Sequence, residues 1–173
     1  MTKIKFTCGI DEAGRGPLAG PVYAACVHIP EQYKDLPFWQ SVTDSKKLSA
    51  RKREEYEALI LQHGICGIAS CSVAEIDEHN ILQASLLAMK RAFHQMGQNM
   101  TETPNERWHA LIDGNKIPRD MPCSALAIVK GDSLHKEISA ASILAKVARD
   151  RIMQQLHEKH PEYGWISNSG YGS

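Results

Sequence analysis

Net charge is the first thing the chain lacks: 20 lysines and arginines stand against 20 aspartates and glutamates in 173 residues. Nothing global therefore argues for nucleic acid or a membrane surface, and any such affinity must come from local clustering. No apolar run is long enough to span a bilayer. The opening Met-Thr-Lys-Ile-Lys-Phe has neither the apolar stretch nor the small-residue site of a secretory leader, so a cytoplasmic protein is expected. Zinc-ligand spacing is missing as well. The five cysteines (Cys8, Cys26, Cys66, Cys71, Cys123) are odd in number, lie mostly in apolar strand patterns and have no histidine pair beside Cys66 and Cys71, which points to packed, reduced thiols. There is no internal repeat and no low-complexity tract. With 43% hydrophobic residues, the chain can build the core of a single domain over 1–173 and is too short for two.

Short apolar or alternating runs bounded by Gly, Pro, Asp or Ser predict strands at Ile4–Ile10, Pro21–Ile29, Ile65–Cys71, Trp108–Ile112 and Ser124–Val129. Helices interleave with them. Ser49 can cap one that stops at Gly64, and Ser72 with Glu75 reads as a capping box. Asn80 can cap a longer helix whose Ile81, Ala84, Ser85, Leu87, Ala88, Ala92 and Met96 form a small-residue face suited to a sheet. The last long helix is predicted from near Ser133, with Ala141, Leu144, Ala145, Ala148, Ile152 and Leu156 on its apolar side and Lys146, Arg149 and Arg151 on its polar side. Gln98 to Arg107 is polar and predicts a surface loop. Strands first, then alternating helix and strand, argue for a mixed sheet covered by helices.

Chemistry is concentrated where the first strand runs into Asp11-Glu12-Ala-Gly14-Arg15-Gly16-Pro. Acids at the end of a buried strand are costly unless they pair or hold cations. Two more strands end the same way, at Asp113-Gly114 and at Lys130-Gly131-Asp132. If these strands are parallel neighbours, Asp11, Glu12, Asp113 and Asp132 converge at one sheet edge, where such a cluster needs cations to stay ionised. Oxygen donors without sulfur or imidazole select Mg²⁺ or Mn²⁺. Taken alone, Asp113-Gly114 reads as a turn and Asp132-Ser133 as a helix cap. A dinucleotide fingerprint is formally present in the glycine run, but a strand follows it where a helix is required. A glycosidase pair fails too, because adjacent residues of an extended segment point to opposite sides.

These motifs, with Asp44-Ser45-Lys46-Lys47-Leu-Ser, the helix Ala140-Ala-Ser-Ile-Leu-Ala-Lys146-Val-Ala-Arg149-Asp-Arg151 and Ser169-Gly-Tyr171-Gly, resemble bacterial ribonuclease HII, in order and over nearly the whole chain. The resemblance implies a ribonuclease H-like α/β fold, a mixed five-stranded sheet flanked by helices on both faces. It also implies an endoribonuclease that hydrolyses the RNA strand of RNA/DNA hybrids and cuts 5′ of ribonucleotides embedded in duplex DNA, leaving 5′-phosphate and 3′-hydroxyl ends. Asp11, Glu12, Asp113 and Asp132 take the family's catalytic and metal-binding positions, with two Mg²⁺ or Mn²⁺ ions present when substrate is bound. Gly14, Arg15 and Gly16 take the ribose-sensing turn, Tyr171 its stacking partner, and Ser45, Lys46 and Lys47 the phosphate contacts, with Lys146 as a further candidate. Arg51, Lys52 and Arg53 are equally well explained by pairing with the glutamates beside them. A monomer is expected, without the helical extension with which the family usually continues.

Overall fold

The computed structural model describes residues 3–16, 20–101 and 104–163. Five strands form one sheet: β1 (Phe6–Ala13), β2 (Val22–His28), β3 (Ile65–Cys71), β4 (Trp108–Asp113) and β5 (Ser124–Ile128), in the order β3-β2-β1-β4-β5. The β1–β2 and β2–β3 pairs are antiparallel, whereas β1–β4 and β4–β5 are parallel. The three acid-bearing segments therefore come from neighbouring parallel strands whose carboxyl ends share an edge. Register fixes the site: Ile10 pairs with Ile112, so Asp11 and Asp113 each follow one residue beyond that pair. β1 runs further than its apolar pattern predicts. Asp11 and Glu12 lie inside the strand, paired with Ala25 and Ala24 of β2.

Alternation sends β1 and β2 side chains to two cores. Cys8, Ile10, Ala24, Cys26, Ala110 and Ile112 face the helix α4 (Ile81–Gln98), which presents Ala84, Ala88, Ala92, Phe93 and Met96 to them. On the opposite face, Ala25 and Val27 meet Ala140, Ala141, Ile143 and Leu144 of α5 (Lys136–Lys159). Helices thus cover both faces, around a mixed sheet, as expected. Gly9 lets α5 settle onto β1, because any side chain there would run into the Glu137 and Ile138 backbone. The remaining helices are α1 (Pro37–Ser41), α2 (Ala50–His63) and α3 (Val73–His79). Ser49 caps α2, Asn80 caps α4, and Ser72 with Glu75 completes the capping box of α3.

Two expectations need correction. The helix predicted from Ser133 starts at Lys136. Lys130 takes a left-handed conformation (φ 57°), Gly131–Ser133 forms a separate 3-10 turn, and the Ser133 hydroxyl donates back to the Lys130 carbonyl instead of capping forward amides. Arg149, placed by its spacing on the polar side, is 2% exposed. No helix of the described residues is long and apolar enough to cross a membrane. The thiols pack inward: Cys8, Cys26 and Cys71 are buried, and burial pushes the Cys66 thiol up to about 12.

Candidate active site

One carboxylate oxygen from each of Asp11, Asp113 and Asp132 lies within 4.8 Å of those from the other two. Backbone amides hold two of the three: Glu12 N–H donates to Asp11 Oδ1 at 2.8 Å, and Asp132 N–H to Asp113 Oδ1 at 3.2 Å. The Ser139 hydroxyl of α5 donates to the Asp132 carbonyl at 2.6 Å, which ties the 3-10 turn to the helix above β1. Glu12 stands apart from the trio. By register it belongs to the α4 side of β1, yet at the strand's end it lines the same cleft.

Electrostatics match this crowding. Burial and then the charges of Glu12, Asp113 and Asp132 hold the Asp11 carboxyl well above its ordinary value. Glu12 is raised by burial and by Asp113, against the pull of Arg15 and Lys46. Asp132 is raised by burial, by Asp113 and by Asp44. Asp44 is thus an acid at this edge that sequence reasoning passed over; it is buried, and its Oδ1 accepts from the Lys46 amide at 3.0 Å. Clustered oxygen donors that cannot all ionise alone fit a hard divalent cation and offer nothing to a soft one. Lys46 Nζ, 3.8 Å from Asp132 Oδ2, supplies part of the missing positive charge.

The cleft around the trio has a volume of about 320 Å³. Its lining includes all four acids, the turn residues Gly14, Arg15 and Gly16, and Ser45, Lys46 and Lys146. Lys47 is exposed and outside the lining, and Tyr171 lies outside the described residues. Lys146 is paired with Asp150 at 2.9 Å. Of the other basic residues, Arg51 and Lys52 pair with Glu55, as their spacing suggested. Arg53 turns inward and donates to the Ser45 and Leu48 carbonyls, bracing the segment that carries Lys46. Sequence reasoning also missed Ser142 and Arg149, which line the cleft. Ser142 shares a 2.6 Å hydrogen bond with Ser45. With Lys146 these residues stand at i, i+4 and i+7 of α5, a single helical stripe, and that spacing was the available signal.

Comparisons with known proteins bear on the same features. The family profile described as Ribonuclease HII matches residues 8–173. A ribonuclease HII of Paramagnetospirillum magneticum is 47% identical over 168 residues, covering 97% of this chain and 80% of its own length. One from Cereibacter sphaeroides is 51% identical over 171 residues, covering 97% and 75%. Among solved structures, the ribonuclease H2 of Pyrococcus horikoshii OT3 aligns with a TM-score of 0.78 over 98% of this chain and 82% of that one, at 27% identity. With three aspartates gathered at the parallel edge, a glycine-arginine-glycine turn beside them and relatives about half identical along its length, this chain belongs to the ribonuclease HII family.

Proposed function

We propose that this protein is a metal-dependent endoribonuclease that hydrolyses the RNA strand of RNA/DNA hybrids and cuts 5′ of ribonucleotides embedded in duplex DNA, leaving 5′-phosphate and 3′-hydroxyl ends. The observation that carries this reading is the trio Asp11, Asp113 and Asp132 within 4.8 Å, set in a cleft whose wall is the Gly14-Arg15-Gly16 turn. The trio, with Glu12 beside it, would hold Mg²⁺ or Mn²⁺. Such ions, when bound, supply a Lewis acid for the phosphate, a water acidified enough to attack it, and charge stabilisation for the departing 3′ oxygen. No protein nucleophile is required.

The chain's own residues do the placing. Lys46, with 82% of its side chain exposed, can move from Asp132 to a phosphate once cations balance the acids. Ser45 keeps the Lys46 turn in register with α5 through Ser142. Lys47 suits a flanking phosphate, and Lys146 lines the cleft itself. Gly14 and Gly16 carry no side chains, so their backbone can approach a 2′-hydroxyl, the group that separates RNA from DNA. Arg15 is exposed next to them and can neutralise a phosphate. Tyr171 is proposed as the stacking partner at the junction with DNA.

Incubation with a DNA duplex holding one ribonucleotide, in Mg²⁺, Mn²⁺ or chelator and beside an all-DNA duplex, tests the reading. Metal-dependent cutting of the ribonucleotide-containing duplex alone is expected. Cutting of the all-DNA duplex, or cutting in chelator, would overturn it.

A further inference from the structure

Arg149 is among the largest side chains sealed inside the described residues, 2% exposed, although a guanidinium cannot give up its charge in a protein. Its position follows from two glycines. A methyl on Gly14 would lie 2.7 Å from Arg149 Cδ, run into its Nε, and lie 2.8 Å from the Pro21 carbonyl oxygen to which that Nε donates at 3.2 Å. A methyl on Gly20 would lie 2.5 Å from Met153 Sδ and 3.2 Å from Arg149 Nη2. Both glycines also have left-handed φ, 100° and 89°, so each answers a steric and a conformational demand at once. The backbone on either side of the glycine-arginine-glycine run therefore rests against one buried side chain. That side chain rises from the same stripe of α5 that lines the cleft with Ser142 and Lys146.

We infer that Arg149 is a positioning residue that holds the Gly14-Arg15-Gly16 turn at the height above Asp11, Asp113 and Asp132 from which its backbone can reach a ribose. The inference rests on the reading of the cleft as a ribonucleotide-cleaving site and goes beyond it by naming what sets the selectivity. A planar fork with five fixed donors can hold a turn in one place, whereas a lysine ammonium on a flexible stem cannot. Displacing a positioning element by about 1 Å can cost about 100-fold in rate without unfolding anything.

The test is a double-mutant cycle with Arg149→Lys, Gly14→Ala and the combined variant. Each is assayed on a duplex with one embedded ribonucleotide and on a continuous RNA/DNA hybrid, with thermal melting in Mg²⁺ alongside. Arg149→Lys should lose about 100-fold in kcat/KM on the single ribonucleotide, mostly in kcat because Lys46 is untouched. Loss on the hybrid should be smaller, since neighbouring riboses offer other registers, and the Mg²⁺-induced rise in Tm should persist. The two single effects should be strongly non-additive because both act on one contact. Equal losses on both substrates, or additive ones, would mean that Arg149 serves the fold alone and would overturn the inference. If Arg149→Lys fails to fold by circular dichroism, Gly14→Ala, whose methyl meets Arg149 Nε and Cδ, is held to the same substrate comparison. A wild-type protein that cuts neither substrate would refute the functional reading itself, which is a separate result.

Discussion

Replacing Asp11 by Asn should stabilise the metal-free protein while abolishing its response to metal. The oxygens of Asp11, Asp113 and Asp132 lie within 4.8 Å, so two ionised members repel by about 3.5 kcal/mol at an effective dielectric of about 20. Burial and this repulsion together raise the Asp11 and Asp132 carboxyls, so proton uptake can relieve part of it. Asn keeps the Oδ1 that accepts the Glu12 amide at 2.8 Å and removes the charge. A net gain of about 1–3 kcal/mol in chelator is expected, or about 3–10 °C in Tm for a domain of this size. In millimolar Mg²⁺ or Mn²⁺ the order should narrow or reverse, because ligand binding stabilises only the chain that binds. Melting curves by circular dichroism at near-neutral pH, with and without metal, read both effects. An Asp11→Asn variant that melts at or below wild type in chelator, or that gains as much from metal, would refute the reasoning.

Other consequences are open to equally simple assays. Asp11, Glu12 and Asp132 all have raised folded values, so protonation of the cluster stabilises the fold at low pH and that stabilisation is lost as pH climbs through the raised range. In chelator this cluster should lower Tm as pH rises from the ordinary carboxylate region toward neutrality, and the Tm gain from added Mg²⁺ should grow over the same interval; a gain that shrinks with pH would contradict it. Lys46→Met should weaken duplex binding and reduce the salt slope of log Kd by about 1, as loss of one phosphate contact requires; an unchanged slope in a salt titration would remove Lys46 from that role. Arg151→Ala strands Glu57, which is 7% exposed and held by two hydrogen bonds of 2.6 and 2.7 Å. It should cost about 2–3 kcal/mol in urea melts, less than for a wholly buried pair because Arg151 is half-exposed, and leave cleavage well below Tm unchanged.

Much of the site was legible because acids at the ends of apolar strands are anomalous, and three anomalies in one chain reinforce one another. Asp11, Asp113 and Asp132 needed only the parallel pairing of β1, β4 and β5 to meet. What stayed hidden depends on tertiary space or on rare backbone states. Lys130 adopts φ 57° without being glycine, so the break before α5 had no sequence mark and Ser133 looked like a cap. Arg149 reads as a surface residue by periodicity, and it is Gly14 and Gly20, more than a hundred positions earlier, that make room for it. Asp44 was read only as the start of the phosphate-contacting Asp44-Ser45-Lys46 motif, although it also faces Asp132. The short helix α1 follows a proline at its first position, a usable signal that too few residues reinforced.

The most direct test of the central claim is a map of product ends from a DNA duplex carrying one ribonucleotide, cut by wild type and by Asp113→Asn in Mg²⁺. Wild type should make a single cut 5′ of the ribonucleotide with a 5′-phosphate and a 3′-hydroxyl, and Asp113→Asn should make no cut while it still binds the duplex. A cyclic phosphate at the new end, a cut elsewhere in the duplex, or near-normal cleavage by Asp113→Asn would contradict it.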